Sequence, residues 1–495
     1  MFFKRIYDPT LAQASYLIGC QQTGNAVVVD PNRDVAQYIT AAETEGLRVT
    51  HVTETHIHAD FVSGARELAA RTGAQLLLSD EGDADWKYAY AADAKARLLK
   101  DGDAFMVGNI RMEALHTPGH TPEHLSFLVT DTPAAAGPWG ILTGDFVFVG
   151  DVGRPDLLER AAGYIGTMEA SAHTLFRSLA RFRDLPDHLQ VWPGHGAGSA
   201  CGKALGAIAS STVGYERLAN WGVGTTDEEE FVRMVLDGQP EPPRYFAEMK
   251  RINKTGPRIL GGFRAPTRLP PQSLGGLLRL GEVVVDTRSA ADFAAGHIPG
   301  TINIPLDGSF TTWAGWLLPY DREIYLLLDD ASPRGAESAV RGLATIGLDR
   351  VAGAFDGSSI DAWTAAGGEL GTVEQATVAE VRTMMARGSA TIIDVRGYTE
   401  WAAGHLPGVP NVPLGYLPDE VENLPPGRPV VVHCQAGARS SIAASLLLAR
   451  GVKSVVNMTG GYTAWQEAGL PVVRGVADVL APTALPTSPV VMQTS

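Results

Sequence analysis

Cysteine is scarce in this chain of 495 residues, which contains only Cys20, Cys201 and Cys434. Three cysteines are too few for a disulfide-stabilised scaffold or for a cysteine-rich zinc module. So few thiols are typical of a protein from a reducing compartment. There an unpaired cysteine is either packed as a small apolar side chain or kept as a reactive thiol. Each of the three thiols is therefore a candidate for packing or for chemistry.

Long apolar runs and an excess of positive charge are missing as well. No stretch reaches the roughly 18 consecutive apolar residues of a membrane helix, and the start, MFFKRIYDPT, has no apolar stretch of signal-peptide length. Lys and Arg number 40 against 55 Asp and Glu, so the net charge is 40 − 55 = −15. We therefore expect a soluble cytoplasmic protein with neither nucleic acid nor a membrane as partner.

The length predicts about three domains, because domains average roughly 150 residues. A stretch rich in Gly and Pro, without helical or strand periodicity, follows a first block, residues 1–258. We interpret this stretch as a linker, residues 259–273. Two further domains are expected over residues 274–371 and 372–477, and a flexible tail over residues 478–495.

The two later domains are copies of one repeat. VVVDTR, ending at Arg288, matches TIIDVR, ending at Arg396, and GHIPG from Gly296 matches GHLPG from Gly404, each pair 108 residues apart. The later AW pair, ending at Trp465 in the second copy, is offset by only 102, so the first copy is 108 − 102 = 6 residues longer inside. A constant offset across separate motifs indicates duplication. Short apolar strands alternating with helical segments predict a small parallel α/β domain.

Four motifs of the first block have the residue types of a metal site, and we therefore call residues 1–258 the metal domain. In chain order they are THIHAD with His56, His58 and Asp60; TPGHT with His120; GILTGD with Asp145; and WPGHG with His195. Imidazole and carboxylate are common ligands of zinc and of non-haem iron. The motifs lie at strand ends and on Pro-Gly turns, which predicts a metal site at the edge of a sheet.

This order of motifs resembles the metallo-β-lactamase superfamily, whose members carry HxHxDH, PGHT, a strand-end Asp and a last His. The resemblance covers essentially all of the metal domain and implies an α/β fold of the αββα sandwich type. Phe61 stands where members with two metal ions have a histidine. This departure removes a ligand of the second ion and favours one metal ion per chain.

The residues by themselves leave the metal open. Zinc hydrolases use three protein ligands and a water molecule. Two histidines and one carboxylate on one face, with open positions beside them, are the arrangement of iron(II) oxygenases. His56, His120 and Asp145 could supply that face, and their spacing does not choose between zinc and iron.

Further segments are similar to the persulfide dioxygenase branch of the superfamily. They are FKRIYD from Phe3, HIHADFVSG from His56, GDVGRPD from Gly150 and PRYFAEMKRIN from Pro243. This resemblance implies one Fe(II) ion per chain, held by His56, His120 and Asp145. It also implies that three other residues are outer groups that order the ligands, or remnants of a second metal site: His58, Asp60 and His195.

The same resemblance implies a reaction. A thiol persulfide is oxidised by O₂ to sulfite and the free thiol, with the metal bringing the two reactants together. Arg154, just beyond the Asp145 strand, is then expected to contact a substrate carboxylate such as that of glutathione. The alternative for Arg154 is a salt bridge at the protein surface.

Cys434 lies where the apolar strand VVVH runs into a helix expected from Ser441 to Leu448. A thiol at such a turn faces backbone N–H groups and a helix N-terminus, which favour the thiolate. The same cradle would hold a persulfide or a sulfur oxyanion. Its residues are Gln435, Ala436, Gly437 and Ala438. From Cys434 to Arg439 the spacing is C-x₄-R, one residue shorter than the C-x₅-R loop of cysteine phosphatases, which favours sulfur over phosphate.

This second copy resembles a rhodanese domain, with DVR, GHLPG, CQAGARS and GGYTAW at the expected places. The resemblance implies a three-layer α/β domain in which Cys434 is the nucleophile and persulfide carrier. Arg439 would help to hold the loop or the bound anion. When Arg334 of the first copy is matched to Arg439, Asp329 falls at the position of Cys434. A carboxylate cannot carry sulfane sulfur, so we name residues 274–371 the silent copy and residues 372–477 the active copy.

The other two cysteines have different settings. Cys201 follows His195 by six residues in HGAGSAC. Its thiol is therefore expected near the metal, as a catalytic group that carries or relays sulfur, with simple packing as the alternative. Cys20 ends an apolar strand, and we interpret it as structural.

The resemblances together imply a sulfide-detoxifying enzyme in which a persulfide dioxygenase is fused to an active rhodanese. Its expected partners are a small persulfide, O₂, sulfite, thiosulfate and a thiol such as glutathione. Fusion would keep the exchanged sulfur species at high local concentration. The oligomeric state and the direction of sulfur transfer stay open. The first alternative is a zinc hydrolase of the glyoxalase II type that acts on a thioester. The second is a sulfur carrier or persulfide sensor whose metal domain only binds substrate.

Overall fold

The structure, a computed structural model, describes residues 1–160, 166–199, 201–203, 205–239, 241–329 and 333–475. The chain divides into two compact units. The first contains Met1–Thr267, Asp307–Arg322 and Ser332–Val351, and the second contains Arg268–Leu306, Glu323–Ala331 and the chain from Ala352 onward. Among the helices of the described ranges, none has both the length and the apolar character needed to cross a membrane. The predicted tail, residues 478–495, lies outside the described residues.

The described part of residues 1–267 contains two sheets flanked by helices. The strands are β1 (Phe2–Asp8), β2 (Gln13–Cys20), β3 (Asn25–Val29), β4 (Arg48–Thr53), β5 (Gln75–Ser79), β6 (Arg97–Leu99), β7 (Ala104–Val107), β8 (Ile110–His116), β9 (Leu125–Asp131), β10 (Gly140–Gly144), β11 (Gln190–Pro193) and β12 (Ser211–Thr212). The helices are α1 (Val35–Thr44), α2 (Ala65–Thr72), α3 (Leu157–Arg160), α4 (Met168–Arg183), α5 (Val213–Ala219), α6 (Trp221–Gly224), α7 (Glu228–Leu236) and α8 (Phe246–Thr255).

The two six-stranded sheets of this region share one core. The first sheet has the order β1-β2-β3-β4-β5-β6, antiparallel up to β3 and parallel from β3 to β6. The second has the order β12-β11-β10-β9-β8-β7, with β10 and β11 parallel. Alternate residues of a strand point to one face. Tyr16 and Ile18 of β2 accordingly meet Met112 of β8 and Phe127 of β9 in a single buried cluster.

Helices cover the outer face of each sheet. The outer core of the first sheet contains Tyr38 of α1 and Leu68 of α2. That of the second sheet contains Leu179 of α4 and Phe231 of α7. Burying one apolar stripe of each helix against a sheet stabilises both layers. The resulting order of helix, sheet, sheet and helix confirms the predicted αββα sandwich.

The silent copy begins at the end of the predicted linker, which contains a 3₁₀ turn, Pro271–Ser273, just before the first helix. Its elements are α9 (Leu274–Arg279), β13 (Val283–Asp286), α10 (Ala290–Ala295), β14 (Ile302–Asn303), α11 (Phe310–Leu317), β15 (Ile324–Leu328), α12 (Pro333–Thr345), β16 (Val351–Asp356) and α13 (Ser358–Ala365). The sheet order is β14-β13-β15-β16. Its core contains Val284, Leu327 and Phe355.

The active copy repeats this alternation. Its elements are β17 (Glu374–Ala376), α14 (Val378–Arg387), β18 (Thr391–Asp394), α15 (Tyr398–Ala403), α16 (Leu417–Glu420), β19 (Val430–His433), α17 (Ala438–Ala449), β20 (Val455–Met458) and α18 (Gly461–Glu467). The sheet is parallel, with the order β17-β20-β19-β18. The predicted helix 441–448 starts earlier, at Ala438, because Gly437 (φ 116°) turns the chain straight from the loop into α17.

Two helices of the silent copy, α11 and α12, belong to the first compact unit. The Val62 N–H donates to the carbonyl of Thr345, the last residue of α12, at 2.7 Å. The fully buried Arg33 pairs with Asp349 at 2.9 Å. The first bond joins the end of α12 to the segment that follows the predicted ligand His56, and the second joins the residues after α12 to the segment between β3 and α1. The predicted domain boundaries follow the chain, whereas the compact units do not, and the boundaries stay predictions.

Candidate functional site

Three strand ends bring the predicted metal ligands together. His56 follows β4, His120 lies between β8 and β9, and Asp145 directly follows β10. All three side chains are buried. One ligand atom from each lies within 4.8 Å of the others. We name these three residues the ligand cluster.

The ligand cluster contains unsatisfied polar atoms of the kind that a metal ion compensates. His56 Nε2 lies 4.0 Å, and His120 Nε2 3.5 Å, from Asp145 Oδ2. Although they are buried, His56 Nε2 and both carboxylate oxygens of Asp145 accept no hydrogen bond from any described residue. Buried polar atoms without partners are costly. Two imidazoles and a carboxylate are ligands for iron(II) or zinc, so these residues fit a divalent metal ion.

Hydrogen bonds on the far side of each imidazole orient it towards the cluster. Thr55 Oγ1 donates to Asp30 Oδ2 at 2.9 Å, and its oxygen therefore accepts from His56 Nδ1 at 3.0 Å. His120 Nδ1 donates to the backbone carbonyl of Arg154 at 3.0 Å. Both rings thus carry their proton on Nδ1 and present the Nε2 lone pair as a ligand.

Burial and neighbouring charges hold the cluster in the protonation states that metal binding requires. Burial lowers the pKa of His56 well below its usual value, and His58 and His120 lower it further. Burial also lowers the pKa of His120, although Asp145 opposes the shift. For Asp145 burial would raise the pKa, but His195 and His120 outweigh it and the pKa is lowered. Neutral imidazoles and an ionised carboxylate are the ligand forms of these groups.

His58 is paired with Asp30 and does not join the ligand cluster. Its Nε2 lies 3.1 Å from Asp30 Oδ1. Burial would lower the pKa of His58, but Asp30 outweighs it and raises the pKa to about 9. Asp30 also accepts the backbone N–H of Thr55 at 2.6 Å, which fixes the turn that leads into His56. His58 therefore lies where the resemblance implied an outer group.

Asp60, His195 and Cys201 form a second group beside the cluster. Their ligand atoms also lie within 4.8 Å of one another. His195 Nε2 is 3.2 Å from Asp60 Oδ2 and 3.4 Å from Asp145 Oδ1, and its Nδ1 bonds to the carbonyl of Ala12 at 3.0 Å. Asp145 is thus shared between the two sets of donor atoms. The structure brings both predicted outer residues, Asp60 and His195, to the edge of the cluster.

Cys201 lies close to the predicted ligands, as its spacing from His195 indicated. Burial raises the pKa of Cys201 well above its usual value, and the charges of Asp60 and Asp145 raise it further. At neutral pH the thiol is therefore protonated, which opposes action as a free nucleophile. Its predicted catalytic role stays a prediction. Phe61, in place of a histidine, is fully buried with its ring 4.4 Å from that of His58.

Arg154 is fully buried and engaged by the protein. Its Nε and Nη2 donate to the two carboxylate oxygens of Asp156 at 2.8 and 2.7 Å. Arg160 Nε also lies 3.3 Å from Asp156. The predicted contact of Arg154 with a substrate carboxylate stays a prediction, and it would require this bidentate pair to open.

His124 is a site residue that the sequence analysis missed. Its Nε2 accepts the backbone N–H of Asp145 at 3.2 Å, and its Nδ1 bonds to the hydroxyl of Thr117 at 2.8 Å. It therefore fixes the backbone of the carboxylate ligand. The available signal was a histidine directly before the apolar segment that begins at Leu125, four residues after His120. The contacts of Asp30, which directly follows β3, with the histidine loop were not foreseen.

The predicted sulfur-transfer loop joins β19 to α17. Cys434 is buried directly after β19, and its Sγ accepts the N–H of Gly437 at 3.1 Å. The hydroxyl of Ser440 lies 3.5 Å from the same sulfur. Such donors stabilise negative charge on sulfur. Of the four residues predicted to form the cradle, Gly437 is the one whose N–H reaches Sγ; the others are Gln435, Ala436 and Ala438.

The start of α18 holds the carbonyl side of this loop. The Tyr462 N–H donates to the carbonyl of Cys434 at 2.8 Å, and the Thr463 N–H to that of Gln435 at 3.0 Å. A Cβ atom at Gly461 (φ 58°) would collide with the Cys434 carbonyl oxygen and would lie 2.8 Å from that of Gln435. Close approach to the loop therefore requires glycine at this position.

Two loop side chains are tied to residues outside the loop. Arg439 donates to both carboxylate oxygens of Glu400, at 2.6 and 2.8 Å. Gln435 accepts from Arg396 at 3.2 Å and donates to the hydroxyl of Thr463 at 3.0 Å. Arg439 is thus engaged in an ion pair that braces the start of α17.

The silent copy differs at the matching strand end. β15 ends at Leu328, and an exposed Asp329 follows it. The next residues, 330–332, and the side chain of Arg334 lie outside the described part of the chain. Residues 274–371 contain no cysteine. This copy therefore has no thiol that could carry sulfur.

Comparisons with known proteins agree with this architecture. The model of the metallo-beta-lactamase superfamily matches residues 8–195, and that of the rhodanese-like domain matches residues 271–366 and 377–468. A crystal structure of a metallo-beta-lactamase from Staphylococcus aureus subsp. aureus COL is 44% identical in sequence, with a TM-score of 0.64. The match covers 72% of this chain and 98% of that one.

Two curated relatives carry the names of different enzymes. The mitochondrial persulfide dioxygenase ETHE1 of Bos taurus is 27% identical over 240 residues, which cover 48% of this chain and 80% of the relative. A hydroxyacylglutathione hydrolase of Rhodospirillum rubrum is 29% identical over 180 residues, which cover 36% of this chain and 60% of the relative. This chain thus spans less than two thirds of the hydrolase.

Proposed function

The chain belongs to the metallo-beta-lactamase superfamily and carries two rhodanese-like domains, and on that premise we propose that it is an enzyme of persulfide metabolism. The metal domain oxidises a small thiol persulfide, such as glutathione persulfide, and the active copy exchanges sulfur at Cys434. One persulfide, one O₂ and one water give the free thiol and sulfite. The observation that carries the proposal is the presence, in one chain, of the buried ligand cluster and a cysteine loop built for anionic sulfur.

His56, His120 and Asp145 would hold one Fe(II) ion per chain. Bound there, iron supplies a redox-active centre with positions open to both the terminal sulfur and O₂. Thr55 and the carbonyl of Arg154 keep the two imidazoles in the ligand tautomer. Burial of all three ligands excludes bulk water from the reacting atoms and strengthens local electrostatics.

Cys434 links sulfite to thiosulfate in this proposal. A lone pair on the sulfur of sulfite attacks the outer sulfur of the Cys434 persulfide, and the bond between that sulfur and Sγ breaks. Thiosulfate leaves, and the electron pair stays on Sγ, where the Gly437 N–H stabilises the thiolate. The reverse reaction uses the same groups. Sulfite made in the metal domain would meet Cys434 at the high local concentration that fusion gives.

The decisive test is O₂ uptake by the full chain purified without added metal. With glutathione persulfide we expect one iron per chain and steady O₂ consumption. His120→Ala should lose the iron and slow O₂ uptake at least about 100-fold, because one of three ligands is gone. Transfer of sulfur from thiosulfate to cyanide should continue at Cys434. The exposed His188 provides a matched control, and His188→Ala should change neither activity.

Zinc-dependent thioester hydrolysis is the second candidate, and the second group favours it. Asp60, His195 and Cys201, with Asp145 shared, provide donors for a second ion. Two zinc ions per chain, hydrolysis of a glutathione thioester and no O₂ uptake would replace the proposal by this one. Full O₂ uptake in His120→Ala would contradict the ligand assignment. A wild-type chain with neither O₂ uptake nor thioester hydrolysis would favour a metal domain that only binds substrate.

A further inference from the structure

The active copy contains a cavity that the proposed function leaves unused. Its volume is about 500 Å³, which suits a small organic ligand. The polar part of its wall comes from Arg396, Glu400, Gln435, Tyr462, Gln466 and Arg474. Gln435 directly follows Cys434, so the cavity reaches the sulfur-transfer loop.

The cavity has one uncommitted positive charge. Arg396 is buried and its guanidinium is used by Asp394, by the Gly404 carbonyl and by Gln435. The charge of Glu400 is balanced by its pair with Arg439. Arg474 is exposed, and it forms no hydrogen bond or ion pair with any residue of the described ranges. The wall of the cavity therefore carries one net positive charge, that of Arg474, and this charge lies at the solvent-exposed side.

The silent copy, which lacks the thiol, also has different residues at two positions of this wall. At the offset of 102 set by the AW pairs, Tyr462 corresponds to Ile360 of the silent copy, and Arg474 corresponds to Thr372, the residue directly after that copy. The buried arginine, by contrast, is kept as Arg288. The free cation and the phenol thus occur only in the copy that has Cys434. Tyr462 also packs in the buried core of the active copy, with the Arg396 guanidinium 4.0 Å from its ring centroid. Arg474 is therefore the charged wall residue that has no hydrogen-bond or ion-pair partner among the described residues.

We propose that this cavity binds the carboxylate-bearing body of the small thiol that exchanges sulfur with Cys434, with Arg474 as the carboxylate contact. The inference rests on the proposed function, since it requires a Cys434 persulfide. The thiolate sulfur attacks the outer sulfur of that persulfide, forming one S–S bond and breaking the bond to Sγ. A free thiol persulfide leaves, and Cys434 keeps the electron pair. Tyr462 and Val472 pack against the carbon atoms of the thiol.

The test compares acceptors in the full chain, with thiosulfate as donor. The acceptors are glutathione, its diethyl ester, which lacks the free carboxylates, and cyanide. Arg474→Ala should raise KM for glutathione about tenfold, the effect of losing one charge-assisted hydrogen bond at an open site. It should leave kcat with glutathione and the KM values for the ester and cyanide within about twofold. Arg474→Lys should restore part of the affinity. Arg387→Ala, an exposed arginine at the end of α14, is the matched control.

Each other outcome decides against the inference. An unchanged KM for glutathione, or an equal loss with all three acceptors, would overturn it. A rise in KM for thiosulfate instead would assign the cavity to the sulfur donor. If the wild-type chain transferred no sulfur to cyanide, the proposed function of Cys434 would be contradicted, and the inference with it. Normal transfer to cyanide with none to glutathione would leave that function intact and overturn the thiol site alone.

Discussion

The two rhodanese-like copies share one clamp and differ at one loop. In each, an arginine folds back onto the aspartate at the strand end. Arg396 Nη2 lies 2.6 Å from Asp394 Oδ2, and Arg288 Nη2 lies 2.7 Å from Asp286 Oδ2. Each guanidinium also donates to the carbonyl of the first glycine of the GHxPG motif. Because all four side chains are buried, the clamp stabilises the fold in both copies.

The histidine of the GHxPG motif is equally structural in both copies. His405 stacks on Trp401 with ring centroids 3.8 Å apart, and His297 stacks on Phe293 at 3.9 Å. Each Nδ1 bonds to the backbone carbonyl of the same aromatic residue. The motifs that both copies share therefore stabilise the fold. The loop that follows β15 in the silent copy and β19 in the active copy determines whether the copy can carry sulfur. A family match alone does not show that a copy is active.

The largest expected effect comes from the thiol itself. Cys434→Ser should reduce transfer from thiosulfate to cyanide by about 10³-fold or more, because serine cannot carry sulfane sulfur. O₂ uptake should be unaffected. Adding Asp329→Cys to that variant should restore less than about 1% of the rate, since the sequence of the silent copy has Ser332 and Gly335 at the positions of Gly437 and Ser440. Thiocyanate formation measures both. Recovery above a tenth of the wild-type rate would show that the missing thiol alone accounts for the inactivity of the silent copy.

The next effect concerns the glycine that approaches the loop. Gly461 corresponds to Ser359 in the silent copy at the offset of 102. Gly461→Ser should destabilise the chain by about 1–3 kcal/mol and slow sulfur transfer, because the new Cβ meets the Cys434 carbonyl. The reciprocal Ser359→Gly should cost no more than about 1 kcal/mol. Urea unfolding and the thiocyanate assay measure these changes. Equal effects at both positions would mean that the glycine serves the fold and not the loop.

The smallest effect is electrostatic. The hydrogen-bonded Arg439 lowers the pKa of Glu400, although burial opposes it. A carboxyl group whose pKa is lowered by folding stabilises the folded chain fully at pH values above its unfolded-state pKa of about 4.5. That contribution is lost as the pH falls through the folded-state pKa. Glu400→Gln should therefore cost up to about 1 kcal/mol at pH 7, a small value because the pair is partly exposed.

The difference in unfolding free energy between wild type and Glu400→Gln should close as the pH falls from 7 towards 3. The corresponding Asp292 of the silent copy accepts from Ser289 at 2.6 Å and has no arginine partner among the described residues. Asp292→Asn is therefore the control and should show no such arginine-dependent gap. If the difference in unfolding free energy for Glu400→Gln stayed constant with pH, the ion pair with Arg439 would not contribute to stability.

The ligand cluster could be predicted because each member has a local signal. Asp145 ends an apolar strand, and His120 lies on a Pro-Gly turn. The roles of Asp30 and His124 depend instead on partners that are distant along the chain. Asp30 lies 25 residues from Thr55, and His124 lies 21 from Asp145. Only the packing of the two sheets brings such partners together, and spacing in sequence does not encode it.

The family resemblance implied the αββα sandwich and the constant offset predicted the two copies, but nothing in the sequence predicted the compact units. The boundary near residue 258 was inferred from Gly and Pro, which report local backbone freedom. The membership of α11 and α12 in the first unit depends on long-range contacts that composition does not reveal. The partner of Arg439 was missed for the same reason, since Glu400 is 39 residues away.

The silent copy can be retained in evolution without any catalytic activity. It supplies the carbonyl of Thr345 that binds the Val62 N–H, and Asp349, which pairs with Arg33. If that copy were lost, the Val62 N–H beside the metal loop would lose its carbonyl partner, and Arg33 would lose its ion pair and keep the carbonyl of Arg258, at a cost of about 1–3 kcal/mol. Selection on the metal domain is then enough to retain the repeat. Under such selection α12 is constrained, while the strand end at Asp329 is free to drift.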